Sequence, residues 1–219
     1  MAKRRGVTTA ELGEISAVAE ALPVRRRADG VILQCDGFEE LEDIDFATAW
    51  KDRSKPFGHF VSQERNYRSK ALKQADALML AHLFPSETAA EILAAGFDYY
   101  EPLTTHDSSL SCVIHSILAA RLGRAEPAWD FFLRALRIDL DPGSGGAAEG
   151  IHIANCGGIW QALVMGFAGM SWAYEAEAPR FQPRLPRHWT SLQFPLSWKG
   201  KEYAVKIDHA GAAVNEVRS

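Results

Sequence analysis

Two stretches of the chain concentrate side chains that could do chemistry. The first runs from Tyr99 to Ser111. It gathers the hydroxyls of Tyr100, Thr104, Thr105, Ser108, Ser109 and Ser111, the His106 imidazole and the carboxylates of Glu101 and Asp107 into a segment that opens a helix. A helix N-terminus presents unpaired N–H groups and the positive end of its dipole, so hydroxyls beside it can complete an anion or sugar site. The same residue types also build an elaborate helix cap, and local sequence leaves both readings open.

The second stretch is Glu149-Gly150-Ile151-His152-Ile153-Ala154-Asn155-Cys156-Gly157-Gly158. Glycines at the start of an apolar helix let backbone N–H groups approach a ligand without Cβ interference, and His152 could donate to a phosphate oxygen. The alternative is that Gly157 and Gly158 allow close helix packing and that His152 is a satisfied buried histidine.

Other patterns carry less. Gly143-Ser144-Gly145-Gly146-Ala147-Ala148 follows Asp141-Pro142 rather than a strand, so it lacks the context of a dinucleotide fingerprint. His106-Asp107-Ser108 has the residue types of a catalytic triad, but sequential neighbours cannot adopt relay geometry, and no G-x-S-x-G elbow occurs. His106, Asp107 and His115 have no recognised metal-ligand spacing, so no metal is expected. Lys73-Gln74, on an expected helix, reads locally as a solvated pair.

The elements that must position these groups are mostly helices. Thr8 or Thr9 caps a helix through Leu12, Ile15, Ala19 and Leu22 that Pro23 stops. Val31-Ile32-Leu33 reads as extended, and residues 34–66 as a long loop of the kind that tends to be functional. Helices are expected from Ser69 to Phe84, from Ser86 to near Gly96, from Ser108 or Ser109 to Leu122, from Glu126 to Arg137, and from Asn155 to near Tyr174. Beyond Pro179, Leu192, Phe194, Leu196 and Trp198 alternate, as do Tyr203, Val205 and Ile207. Lys199-Gly200-Lys201 between them makes a β-hairpin.

The bounds are those of an ordinary globular chain. It has 219 residues, 47% hydrophobic and 24% charged, which excludes wholesale disorder. A net charge of −4 disfavours nonspecific nucleic-acid binding. Cys35, Cys112 and Cys156 form no C-x-x-C pair, against a disulfide framework or zinc ribbon. The basic N-terminus leads into no apolar run, and Ile159–Ala173 is too short to span a membrane. These features point to a cytoplasmic protein with no nucleic-acid or membrane partner.

Several segments together resemble the C-terminal portion of glycoside hydrolase family 65, the maltose, kojibiose and trehalose phosphorylase group. They are Gln34-Cys35-Asp36-Gly37-Phe38, Lys73-Gln74-Ala75-Asp76, Tyr100 to Ser111, Glu149 to Ala154 running on to Gly157-Gly158-Ile159-Trp160, and Leu185-Pro186 to Trp189. The resemblance implies a mainly α fold. Residues 1–178 would form the C-terminal half of an (α/α)6 catalytic barrel, and residues 179–219 a small β segment. It also implies inverting phosphorolysis of an α-linked glucose disaccharide, with inorganic phosphate as co-substrate and no cofactor.

Carried over, Lys73 and Gln74 look like the pair that holds glucose beside the cleaved bond, which reverses their local reading. Ser108, Ser109, His152, Gly157 and Gly158 look like the phosphate pocket, with His106 and Glu149 as further candidates. The family's general acid sits in a Gly-Pro-Asp-Glu-Tyr-His type motif that does not occur here. No catalytic residue is therefore expected within the chain, and the chain alone should be inactive and self-associate. The alternatives are a non-catalytic carbohydrate- or phosphate-binding protein derived from the family, and half of a family 65 hydrolase.

Overall fold

The computed structural model describes residues 6–74, 76–141, 150–171 and 176–217. Among them, eight α-helices precede a three-stranded antiparallel sheet: α1 (Thr9–Ala21), α2 (Phe46–Ala49), α3 (Gln63–Tyr67), α4 (Asp76–Leu83), α5 (Ala90–Tyr100), α6 (Ser111–Arg121), α7 (Ala125–Arg137), α8 (Ile153–Gln161), then β1 (Ser191–Trp198), β2 (Lys201–Asp208) and β3 (Gly211–Val217).

The core is organised around α6. Every residue from Ser111 to Ala120 is buried, the signature of a helix enclosed on all sides. By contrast α7 buries Ala128, Phe131, Phe132 and Ala135, one stripe at helical spacing, and is an outer helix packed on α6. The Ser116 hydroxyl donates to the Ala128 carbonyl at 2.8 Å and the Asn155 amide to the Ala135 carbonyl at 2.9 Å, so polar side chains lock α6 and α8 to α7. The π-helical turn Ala162–Phe167 continues α8, and Gly166 in it lets the Ile117 backbone approach.

The sheet belongs to the same core: Phe194, Trp198, Tyr203, Val205 and Ile207 are buried in one cluster with the helices, and the Trp160 ring meets Phe194 edge-on at 5.5 Å. Lys199 and Gly200, with φ of 50° and 78°, make the two-residue turn of the expected hairpin. Strand β3 adds a third strand that the sequence pattern does not announce, because Ala212, Ala213 and Asn215 are exposed along an edge and carry no alternation.

Several boundaries differ from expectation for identifiable reasons. The helix expected from Ser69 begins only at Asp76. The Leu72 N–H donates to the Leu103 carbonyl at 2.9 Å and the Leu72 carbonyl accepts from the Thr105 N–H at 2.7 Å, a parallel bridge that takes up the backbone groups a helix would need. Gly96 does not end α5 but sits inside it, where its bare Cα meets Leu78. The last long helix starts earlier, at Ile153, and the helical run ends at Phe167; Tyr174 lies outside the described residues. Its stop is Gly169, at φ 69°, where a Cβ would sit 1.8 Å from the Gln182 carbonyl oxygen. The long loop over 34–66 contains α2, α3 and single 3-10 turns, organised around a second small core of Trp50, Phe57, Val61 and Ala71.

Candidate active site

The bridge between Leu72 and Thr104 fixes the geometry of the site, because it lays Lys73-Gln74 alongside the hydroxyl-rich loop. The Ser108 hydroxyl then donates to the Gln74 side-chain carbonyl at 2.7 Å. The Gln74 amide donates to Asp76 at 3.1 Å, and Asp76 in turn accepts from Gln34 at 3.2 Å. Three segments distant in sequence are thus joined by one run of side-chain hydrogen bonds. Lys73 is exposed next to it.

Most of the loop's hydroxyls do not face the site. The Tyr100 hydroxyl donates to the Ile32 carbonyl at 2.7 Å, Thr104 to the Tyr100 carbonyl at 2.7 Å, and Thr105 accepts from the Asp107 N–H at 3.4 Å. Ser111 is buried against His106 Nδ1 at 2.9 Å. Those four groups are structural. Ser108 and Ser109 remain, and both line a cleft of about 330 Å³ together with His106, Asp107, Cys112, His152, Arg134, Ile138 and the loop Arg53–Pro56. Helix α6 begins only at Ser111, so Ser108 acts as a turn residue, its hydroxyl accepting from the Leu110 N–H at 3.2 Å, and not as the helix cap.

The cleft is positively charged although the chain as a whole is acidic. Among the described residues, Arg53, Lys55 and Arg134 line it, against one carboxylate, Asp107. The Arg53 guanidinium lies 4.3 Å over the Trp50 ring and Arg134 5.5 Å over Phe131, aromatic faces that hold both forks without neutralising them. Lys55 pairs weakly with Asp52 at 3.8 Å. One Asp107 oxygen is occupied by the Phe57 N–H at 2.8 Å, which ties the 53–56 loop to the serine loop. Arginine forks, hydroxyls and an imidazole are the donor types that can bind an oxyanion. Sequence reading missed these three cations; their only signals were the long loop that carries Arg53 and Lys55 and the polar flank of α7 that carries Arg134.

His152 lines the cleft from the start of α8, its Nδ1 2.7 Å from Asp139. His106 is held at φ 59°, its ring against His115 at 4.6 Å and Phe131 at 5.0 Å. Burial pushes its imidazole down to about 3, so it is neutral in the fold.

The glycines are placed differently from expectation. Because α8 starts at Ile153, Gly157 and Gly158 lie inside it, with their N–H groups in the helical ladder, and neither lines the cleft. A Cβ on Gly158 would sit 3.0 Å from both Val113 methyls, so this glycine serves the contact between α8 and α6; around Gly157 there is open space. Glu149 lies outside the described residues.

A larger cleft, of about 530 Å³, is lined by Arg124, Glu126, Trp129, Arg187 and His188. It sits at the first turn of α7, whereas the cationic cleft sits at the last, roughly 15 Å away at 1.5 Å rise per residue. Among the described residues, none of the expected site residues lines it.

Comparison with known proteins matches residues 1–161 to the glycosyl hydrolase family 65 central catalytic domain and residues 174–218 to the family 65 C-terminal domain. The chain belongs to glycosyl hydrolase family 65. Among curated family 65 relatives, an α,α-trehalose phosphorylase of Thermoanaerobacter brockii is 43% identical over 141 residues, 64% of this chain and 18% of that protein. A kojibiose phosphorylase of Escherichia coli is 37% identical over 188 residues, 85% of this chain and 24% of that protein. A solved structure from the human microbiome, provisionally assigned as a kojibiose phosphorylase, superposes with a TM-score of 0.84 at 30% identity, covering 99% of this chain and 30% of that one. The helices are accordingly part of the family 65 (α/α)6 barrel, followed by its C-terminal β region. The chain spans about a fifth to a quarter of the length of the curated relatives it matches. Among its described residues no helix is long and apolar enough to cross a membrane.

Proposed function

We propose that this chain supplies the glucose- and phosphate-facing wall of an inverting α-glucoside phosphorylase. In that reaction phosphate attacks the anomeric carbon from the face opposite the leaving sugar. β-Glucose 1-phosphate forms, and a general acid protonates the departing oxygen. The observation that carries the reading is the 2.7 Å hydrogen bond from Ser108 to Gln74, at the edge of a cleft lined by Arg53, Lys55, Arg134, Ser109 and His152. The bond joins Gln74, the side chain that the family resemblance assigns to glucose, to Ser108, which lines the cleft, and this supports a phosphate nucleophile held next to the sugar.

The cation excess also favours phosphorolysis over hydrolysis. An inverting hydrolase requires a free carboxylate to activate water, and the one carboxylate among the cleft's described residues, Asp107, has one oxygen engaged by the Phe57 N–H. On this reading the general acid comes from outside this chain, since the Gly-Pro-Asp-Glu-Tyr-His type motif that carries it in the family does not occur in the sequence. General acid catalysis is typically worth about 10²–10⁴-fold, so the chain by itself releases no measurable glucose 1-phosphate from maltose, trehalose or kojibiose.

The test has two arms. Inorganic phosphate titrated into the ¹⁵N-labelled chain is expected to shift the amides of Ser108, Ser109 and His152 saturably, with sulfate competing; unmoved amides would refute the anion site. Co-expression with the remaining portion of a family 65 protein is expected to restore phosphate-dependent turnover, and robust turnover by this chain alone would refute the missing acid.

A further inference from the structure

His152 is the one ring in the cleft whose orientation is set by a carboxylate. Asp139, just beyond the end of α7, reaches across to the start of α8. Its Oδ1 lies 2.7 Å from His152 Nδ1, and both of its oxygens lie 3.2 Å from the His152 backbone nitrogen. Its Oδ2 is also 4.0 Å from the Cys156 thiol. The Asp139 side chain is only 16% exposed, and it does not line the cleft, whereas His152 does. The hydrogen bond from His152 holds the Asp139 carboxyl below the usual carboxylate range, so it is an acceptor only.

An ionised carboxylate at Nδ1 requires that nitrogen to carry a proton. It also leaves Nε2 as the ring's remaining polar atom on the cleft side. We infer that Asp139 is a positioning residue: through its contacts with His152 Nδ1 and N–H it fixes the tautomer and orientation in which Nε2 meets a bound oxyanion.

The chemistry is that of a carboxylate–histidine pair, in which the outer acid sets the ring's tautomer and basicity without touching the ligand. A neutral His152 so held presents Nε2 as an acceptor, matched to a protonated phosphate oxygen. Protonated, the ring presents Nε2–H as a charged donor between Arg134 on α7 and the Arg53–Lys55 loop. The other groups facing it are His106 and Asp107 on the serine loop and Cys156 on its own helix. In either state Asp139 keeps Nδ1 out of the exchange. The same carboxylate joins the end of α7 to the start of α8 and so anchors the His152 backbone as well as its ring.

The inference rests on the phosphate reading, and the experiment separates the two. In the chain labelled with ¹⁵N-histidine, the His152 ring signals are assigned by their loss in His152→Gln. The neutral tautomer is read at a pH high enough that the ring signals no longer change with pH. The wild-type ring is expected to be protonated on Nδ1. In Asp139→Ala it should revert to the mixture dominated by Nε2–H that free histidine shows, with inorganic phosphate binding about tenfold weaker, the scale on which such outer partners act.

Should Asp139→Ala lose its far-UV helicity, Asp139→Asn takes its place. That variant keeps the volume but removes the charge and half the acceptor capacity, and a smaller loss of the Nδ1–H form is expected. An unchanged tautomer in either folded variant overturns the inference. A tautomer that switches while phosphate never perturbs the ring in wild type refutes the anion reading and leaves the positioning role standing.

Discussion

At the scale of single residues, two adjacent glycines separate packing from ligand binding. Gly158 is in contact with Val113 across the α8–α6 interface, and an added methyl would sit 3.0 Å from two of its carbons. Gly158→Ala is therefore expected to destabilise by about 1–3 kcal/mol, the usual cost of overpacking. Gly157→Ala meets open space in a helix interior and is expected to stabilise by up to about 1 kcal/mol through propensity alone. Urea unfolding of both variants checks the sign, and phosphate titration of Gly157→Ala checks that binding does not change. A loss of phosphate binding there would return Gly157 to the site.

At the scale of elements, the module around Trp50, Phe57 and Val61 has its own small core, and the Phe57 N–H bond to Asp107 ties it to the serine loop. Hydrogen bonds to a charged acceptor contribute roughly 1.5–3 kcal/mol when buried and less at a half-exposed site. Asp107→Ala is expected to leave the main core folded, release the Arg53–Pro56 loop and weaken phosphate binding several-fold. Limited proteolysis within 51–58 would report the release, and an unchanged digestion pattern would show that Asp107 is not the strut.

The π-helical turn and Gly169 act at the same scale. With the Gln182 carbonyl only 1.8 Å from the position of a Cβ, and a φ of 69°, no side chain fits where the two segments cross. This crossing, more than any change in composition, ends the helical part and directs the chain toward β1.

At the scale of the whole molecule, the buried His82 and His115 and the half-buried His106 couple stability to pH. Burial holds His82 and His115 down to about 4 and His106 to about 3. In the unfolded chain all three protonate near pH 6.5. As pH falls below about 6.5 the unfolded state binds protons that the folded state refuses, so stability decreases until the pH has passed through the folded values. Urea midpoints are expected to be level above pH 7 and to decline between about 6.5 and 4. His115→Phe, which keeps an aromatic ring in the Phe97 and Phe131 cluster, should decline less steeply.

The other whole-molecule property is exposed apolar surface. Helix α1 has no buried residue, and Leu12, Ile15, Val18 and Leu22 stand 43–64% exposed at helical spacing. A contiguous apolar stripe of this kind promotes association. Light scattering is expected to show concentration-dependent self-association that Ile15→Glu reduces; a sharp monomer across concentrations would count against it.

The sequence by itself determined the elements whose signals are local. The cap at Thr8, the helix that runs to Arg137 and the Lys199-Gly200 hairpin turn depend on residues within a few positions of one another. Ser108 and His152 stood out locally as candidates for an anion site, but Gln74 was reachable only through family resemblance, since no spacing rule joins positions 74, 108 and 152. What only the tertiary structure decided is which polar groups are free to act. Tyr100, Thr104, Thr105 and Ser111 look equivalent to Ser108 and Ser109 along the chain, yet the fold consumes them in internal hydrogen bonds. Gly157 and Gly158 look like a ligand-facing pair until the start of α8 shifts to Ile153. The cationic cleft follows the same logic. A net charge of −4 says nothing about where Arg53, Lys55 and Arg134 meet, because charge adds up over a sequence while a site depends on distance.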